Sequence, residues 1–114
     1  MHWSKVYIRL ACEKSVSKKD IIEALKMTGL EKSVIDAKVC TLSGGMKRRV
    51  SIVRALLYAG DILLLDEPTK GLDEQNKRLV IDYILTASKD KTVLWVTHDD
   101  EEAKYVSDRI IKID

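Results

Sequence analysis

Phenylalanine is absent from this chain, and proline occurs once, at Pro68. With no Phe, any core must be built mainly from aliphatic side chains. Cysteine is scarce: Cys12 and Cys40 are too far apart for a C-x-x-C metal spacing. Two thiols in a mixed α/β chain fit reduced cysteines in a cytosolic protein. Long apolar runs are missing too. "ALLYA" (55–59) and "ILLL" (62–65) fall far short of the roughly 20 residues of a membrane-spanning helix. Lys5 and Arg9 interrupt the N-terminal stretch, which excludes a secretory signal. The net charge is only +2, from 20 bases against 18 acids, which argues against a dedicated nucleic-acid binder. Neither a repeat nor a low-complexity segment is present. What remains is 46% hydrophobic and 33% charged, the composition of a globular domain rather than of a disordered chain.

Helices and strands alternate along the chain. "SKKDIIEALKMT" (17–28) opens on Ser17 with an acid three residues on, at Asp20, a capping box with Asp in place of Glu. Ile21, Ile22 and Leu25 form its apolar face, and Gly29 can end it. A shorter helix is expected over 31–37. After "SGG", the residues Met46, Val50, Val53 and Leu57 recur at one-face helical spacing, up to Gly60. "DILLLD" is too short and too apolar for a half-exposed helix and reads as a buried strand. A helix after Asp73 carries Leu79, Val80, Tyr83, Ile84 and Ala87 on one face. "TVLWVT" (92–97) reads as a second buried strand, "DEEAKYVSD" as a short helix and "RIIKI" (109–113) as a third strand. Alternation of this kind implies a parallel α/β sheet, whose functional residues gather at the carboxyl ends of strands. Asp66, Glu67 and His98 fall there.

Those three residues suit phosphate chemistry. Asp66 offers a hard oxygen ligand to Mg²⁺, and Glu67 can polarise an attacking water as a general base. The same two acids would equally serve to cap the loop after the strand. Ser43 can cap the following helix and donate its hydroxyl to a phosphate, while Gly44 and Gly45 let backbone N–H groups approach an anion at the helix N-terminus. Taken alone, "SGG" also fits an ordinary turn before a helix. His98 can donate to a terminal phosphate; the alternative is a capping turn with Thr97 or Asp99 as the cap. The run Lys47 to Arg49 is expected to decorate a solvent-facing helix start. In "TKGLD", Gly71 is expected to supply a positive φ.

Taken in order, these segments resemble the ABC-type ATPases, the nucleotide-binding domains of ABC transporters. "LSGGMKRRVSIVRALL" is similar to the family signature and its helix, and "ILLLDEP" to Walker B followed by the catalytic glutamate. "GLD" resembles the D-loop and "VTHD" the switch histidine. The resemblance runs from about Val6 onward. Met46 departs from the glutamine common at its position. The larger departure is that the phosphate-binding motif G-x-x-x-x-G-K-[ST] occurs nowhere in the sequence. The single glutamine, Gln75, lies in the helix after the D-loop, so no Q-loop is present either, nor an aromatic residue to stack on adenine.

The resemblance implies a partial P-loop NTPase-type parallel sheet with part of the ABC helical subdomain. Residues 1–60 would belong to the helical subdomain with the signature, and 61–114 to the C-terminal part of the RecA-like ATPase core. It implies ATP and Mg²⁺ as ligands, with Glu67 and His98 catalytic and Asp66 on the metal. Ser43, Gly44, Gly45 and the D-loop acid Asp73 would contact nucleotide. The implied partners are a second nucleotide-binding domain in a head-to-tail dimer and transmembrane permease subunits, with no nucleic acid. The implied location is the cytoplasmic face of the cell membrane, as a peripheral subunit. Ser43, Gly44 and Gly45 would then touch ATP held mainly by the opposite domain. Without its phosphate-gripping front half the chain is expected to be inactive by itself, and to self-associate through its open sheet. A catalytically inactive interaction or oligomerisation module is the alternative reading. A DNA-repair or ribosome-associated relative fits less well, since there is no room for a long coiled coil and Lys70-Gly71 precede "LD".

Overall fold

A computed structural model describes residues 16–31 and 42–113. Helix α1 (Lys18–Met27) starts at Ser17, whose hydroxyl accepts from the Asp20 N–H at 3.1 Å while Asp20 accepts from the Ser17 N–H at 3.4 Å. The expected capping box is therefore formed. Just beyond the helix, Gly29 takes φ +89°, and a Cβ there would come within 2.9 Å of Asn76 Oδ1. Only glycine fits both the backbone and the approach. Helix α2 (Gly44–Leu57) follows the signature, and strand β1 (Ile62–Asp66) leads through a loop to helix α3 (Glu74–Ala87). Strand β2 (Thr92–Val96) and helix α4 (Asp100–Val106) complete the order.

β1 and β2 pair in parallel, with Leu63 opposite Val93 and Leu65 opposite Trp95. Helices α1, α2 and α3 pack on one another pairwise. Their inner faces meet Leu63 and Leu65 in one apolar cluster around Val53, Val80 and Ile84. This cluster takes side chains from both sides of position 60. Lys91 locks the entry to β2 onto the end of α2, its ammonium donating to the Gly60 carbonyl at 2.8 Å and the Ala59 carbonyl at 3.2 Å.

Three expectations are corrected. The strands are not buried on both faces: Leu63 and Leu65 are 6% and 5% exposed, but Ile62, Leu64, Leu94 and Val96 are 74%, 66%, 60% and 43% exposed. The helices cover one face of the sheet, and the other carries aliphatic side chains with nothing over them among the described residues. Residues 109–113 form no strand; Ile110, Ile111 and Ile113 are exposed. A strand exists by pairing, and among the described residues β1 and β2 pair only with each other. The buried face of α2 is wider than expected: Val53 of the expected stripe lies in the core and Met46, Val50 and Leu57 pack partly buried against it, but the most buried positions also take in Arg49, Ile52 and Leu56, one step round. The shorter helix expected over 31–37 and both cysteines lie outside the described residues, Glu31 excepted.

Candidate functional site

The carboxyl end of β1 turns sharply. Glu67 has a φ of 49°, a left-handed conformation that costs a side-chain-bearing residue roughly 1–2 kcal/mol. Its N–H still donates to the Val96 carbonyl at 2.8 Å, extending the β1–β2 ladder by one bond. The turn sends the carboxylate across to the segment after β2. There Oε1 accepts from the His98 N–H at 2.9 Å, and His98 Nε2 lies 3.5 Å away. Glu67 is part-buried, whereas the imidazole of His98 projects into solvent. Glu67 and His98 are thus brought together, and Glu67 Oε2 remains to accept from a water. Asp66 is exposed at the last position of β1.

Beyond His98 the chain is held by a second carboxylate. Asp99 caps α4, accepting from the N–H groups of Glu101 at 2.9 Å and Glu102 at 3.2 Å. The Glu102 amide foremost, with the Glu101 amide and Lys77, holds the Asp99 carboxyl below its ordinary range. Lys77 reaches both Asp99, at 3.5 Å, and Glu74, at 3.8 Å, tying the start of α3 to this segment.

Ser43 caps α2, accepting from the Met46 N–H at 3.1 Å. An accepting hydroxyl keeps its own proton to donate outward. No acid occupies the first turn of α2, so the positive end of the helix dipole is uncompensated. The two glycines differ. A Cβ on Gly44 would meet nothing within 4 Å, whereas one on Gly45 would lie 3.2 Å from Leu72 Cδ2 and 3.9 Å from the Gly71 carbonyl. Gly44 faces open space, and Gly45 allows α2 to close on the "GLD" loop. Gly71 has the expected positive φ, +82°. Asp73 caps α3, accepting from the Asn76 N–H at 2.8 Å and side-chain amide at 3.1 Å.

Two residues join these parts that sequence reasoning missed. Arg49, expected at a solvent-facing helix start, is 8% exposed. Its guanidinium donates to the carbonyls of Gly45 at 3.2 Å and Thr28 at 3.3 Å and to Asn76 Oδ1 at 3.1 Å. It therefore connects the end of α1, the signature and, through Asn76, Asp73. Burial lowers its pKa, and the charge of Asp73 opposes that shift. The signal was available, since Arg49 shares a helical stripe with Ile52, Val53 and Leu56. The second is Glu102, a buried acid on α4. Among the described residues no hydrogen bond or ion pair joins Ser43 to Asp66, Glu67 or His98.

The donor set available to Mg²⁺ is that of the residues present. No group of three or more His, Cys, Asp or Glu among the described residues could form a protein cage. An exposed carboxylate such as Asp66 matches the usual arrangement, in which one or two carboxylates and substrate phosphates hold Mg²⁺. No helix among the described residues is long and apolar enough to cross a membrane.

Comparison with known proteins bears on the family and the fold. The ABC transporter family profile matches residues 3–70, more than half of the chain. The linearmycin resistance ATP-binding protein LnrL of Bacillus subtilis is 36% identical over 115 residues, covering 100% of this chain and 36% of that protein. The energy-coupling factor transporter ATP-binding protein EcfA2 of Halalkalibacterium halodurans is 41% identical over 97 residues, covering 83% of this chain and 34% of its own length. The chain thus spans about a third of the length of these curated relatives. Among solved structures, an ATP-binding cassette in a dimeric post-hydrolysis state bound to ADP and Pi superposes with a TM-score of 0.68 at 34% identity, covering 82% of this chain and 43% of that one. The RNase-L inhibitor superposes with a TM-score of 0.69 at 40% identity, over 82% of this chain and 18% of that chain. The matched profile, the parallel α/β fold and the ordered motifs together establish that the chain belongs to the ABC transporter family and carries part of its nucleotide-binding domain.

Proposed function

We propose that this chain supplies the signature-to-switch portion of an ABC transporter ATP-binding subunit, which couples ATP hydrolysis to transport when joined to a phosphate-gripping half. The observation that carries the reading is the Glu67–His98 pair, held at 2.9 Å across the carboxyl ends of two parallel strands. Residues 1–60 act in the helical subdomain and 61–114 in the ATPase core. Glu67 Oε2 orients and polarises the attacking water. His98 is already fixed through its backbone, so its exposed imidazole can donate to the terminal phosphate. Asp66 would hold Mg²⁺, which when bound supplies neutralising charge on the phosphate oxygens. Ser43 and Gly44 present the open end of α2 to a nucleotide carried by an opposing domain, and Asp73 anchors the D-loop beside them. The dimeric cassette found among the structural relatives supports the head-to-tail partner. The name of one relative, an energy-coupling factor transporter ATP-binding protein, supports a membrane-embedded transporter partner, and with it a peripheral place on the cytoplasmic face of the membrane.

The exposed aliphatic face of the sheet favours a second reading, an interaction or oligomerisation module without catalysis of its own. The two readings share one expected outcome. In the chain by itself, no lysine loop cradles the β- and γ-phosphates, so the purified protein should show negligible Mg²⁺-ATP turnover. Turnover that disappears in Glu67→Gln would overturn this, because a contaminating ATPase would be indifferent to that substitution.

A further inference from the structure

Glu102 is 5% exposed and makes two side-chain contacts. Its Oε1 accepts from the Thr69 hydroxyl, and its Oε2 accepts from the Trp95 indole N–H at 3.1 Å. Thr69 lies two residues after Glu67, in the loop leaving β1. Glu102 lies four residues after His98, with its own N–H fixed on Asp99 at 3.2 Å. The two loops that meet at the Glu67–His98 hydrogen bond are therefore tied a second time, from beneath, through Thr69 and Glu102. Pro68, buried between Glu67 and Thr69, removes backbone freedom from the short arm of this ring. Trp95, on β2, fixes the carboxylate to the sheet itself.

We infer that Glu102 is a positioning residue, whose carboxylate sets the separation of the Walker B and switch loops and thereby holds Glu67 against His98. A buried carboxylate in an aliphatic domain is costly unless its oxygens are satisfied. Here one oxygen is satisfied by Thr69 in the loop leaving β1 and the other by Trp95 on β2, the strand that leads into the switch loop. The alternative, a carboxylate that serves only the general stability of α4, makes a different prediction. It would place the effect of its removal on the whole domain rather than on one hydrogen bond at the strand ends. The consequence for hydrolysis rests on the ATPase reading above. The positioning itself does not, and its test contains no nucleotide, so failure of one is separate from failure of the other.

The test is amide hydrogen exchange by NMR on the full 114-residue chain. The His98 N–H reports the Glu67 contact, and Glu67→Ala sets the scale of its complete loss. Thr69→Val removes the donor while preserving shape. In this variant and in Glu102→Ala, His98 protection should fall about tenfold, the scale of one hydrogen bond, while the β1–β2 ladder amides stay within about twofold. Glu102→Gln should restore protection. Its carbonyl can accept from Trp95 while its amide donates to the Thr69 hydroxyl, which accepts as well as donates. The Trp95 indole N–H resonance should move in Glu102→Ala and stay near its place in Glu102→Gln. Unchanged His98 protection in Thr69→Val would overturn the inference. So would a loss shared equally by the ladder amides, which would mark Glu102 as a stability residue alone. Should Glu102→Ala fail to fold, Thr69→Val and Glu102→Gln still decide the question.

Discussion

The two faces of the β1–β2 pair are made from the same kind of residue and have opposite surroundings. Leu63 and Leu65 lie under three helices, and Leu64, between them in sequence, points into solvent, as do Leu94 and Val96 on the neighbouring strand. Strands of parallel α/β sheets are apolar on both sides because helices cover both sides. Here one layer is present among the described residues. A continuous apolar strand is therefore made for cover on both faces, and among the described residues only one face has it.

The comparison is broken most forcefully by truncating one leucine on each face. Leu65→Ala should destabilise the chain by about 2–5 kcal/mol, the usual range for a fully packed leucine, and Leu64→Ala by less than about 0.5 kcal/mol. Urea unfolding monitored at the tryptophans measures both. Equal costs would mean that both faces are packed in solution. Because the open face and the strand edges are templates for association, scattering mass should rise with concentration, and Leu64→Lys with Leu94→Lys should suppress that rise. A monomeric mass at every concentration would show that the chain covers this face itself.

A smaller effect separates the two ends of the "KRR" run. Arg49→Ala leaves the Thr28 carbonyl and Asn76 Oδ1 without their donor, at a cost of about 1–3 kcal/mol. Lys47→Ala, on the exposed side of the same turn, should be close to neutral. The same denaturation assay distinguishes them, and equal effects would remove Arg49 from its bridging role.

The smallest expected effect is a pH dependence. Asp99 has its folded pKa depressed by the α4 amides and Lys77. Its contribution is therefore present above the ordinary carboxylate range and is lost as pH falls through the lower folded value. Asp99→Asn keeps a good N-cap but removes the charge. Its acid-side unfolding profile should be flatter than that of the parent. An unchanged profile would mean that other carboxylates govern acid unfolding.

How much of this was legible in the sequence depends on the range of the interaction involved. Ser17 with Asp20 and Ser43 are caps made within one helical turn, so residue identity and spacing were enough; the Asp73 cap is equally local but was not anticipated. Glu67 and His98 lie at strand ends, and strand ends are where an alternating α/β chain places its chemistry. The third strand failed because "RIIKI" has strand composition but no strand partner among the described residues, and partners are not encoded locally. Burial of Leu94 and Val96 failed for the same reason: the sequence records that they were made to be covered, but not by what. Arg49 and Glu102 were missed because a charge usually marks a solvated face. Their acceptors and donors come from elements up to 33 residues away in sequence.

The role proposed for Glu67 is that of general base in an ATPase whose phosphate grip is not encoded in these residues. It is tested most directly by joining the front half of a related nucleotide-binding domain ahead of this chain and measuring single-turnover ATP hydrolysis beside ATP binding. Hydrolysis is expected in the joined protein, with a fall of about 10²–10⁴-fold in Glu67→Gln and ATP binding retained, the loss expected of a positioned general base. Hydrolysis at the parental rate in Glu67→Gln would contradict it.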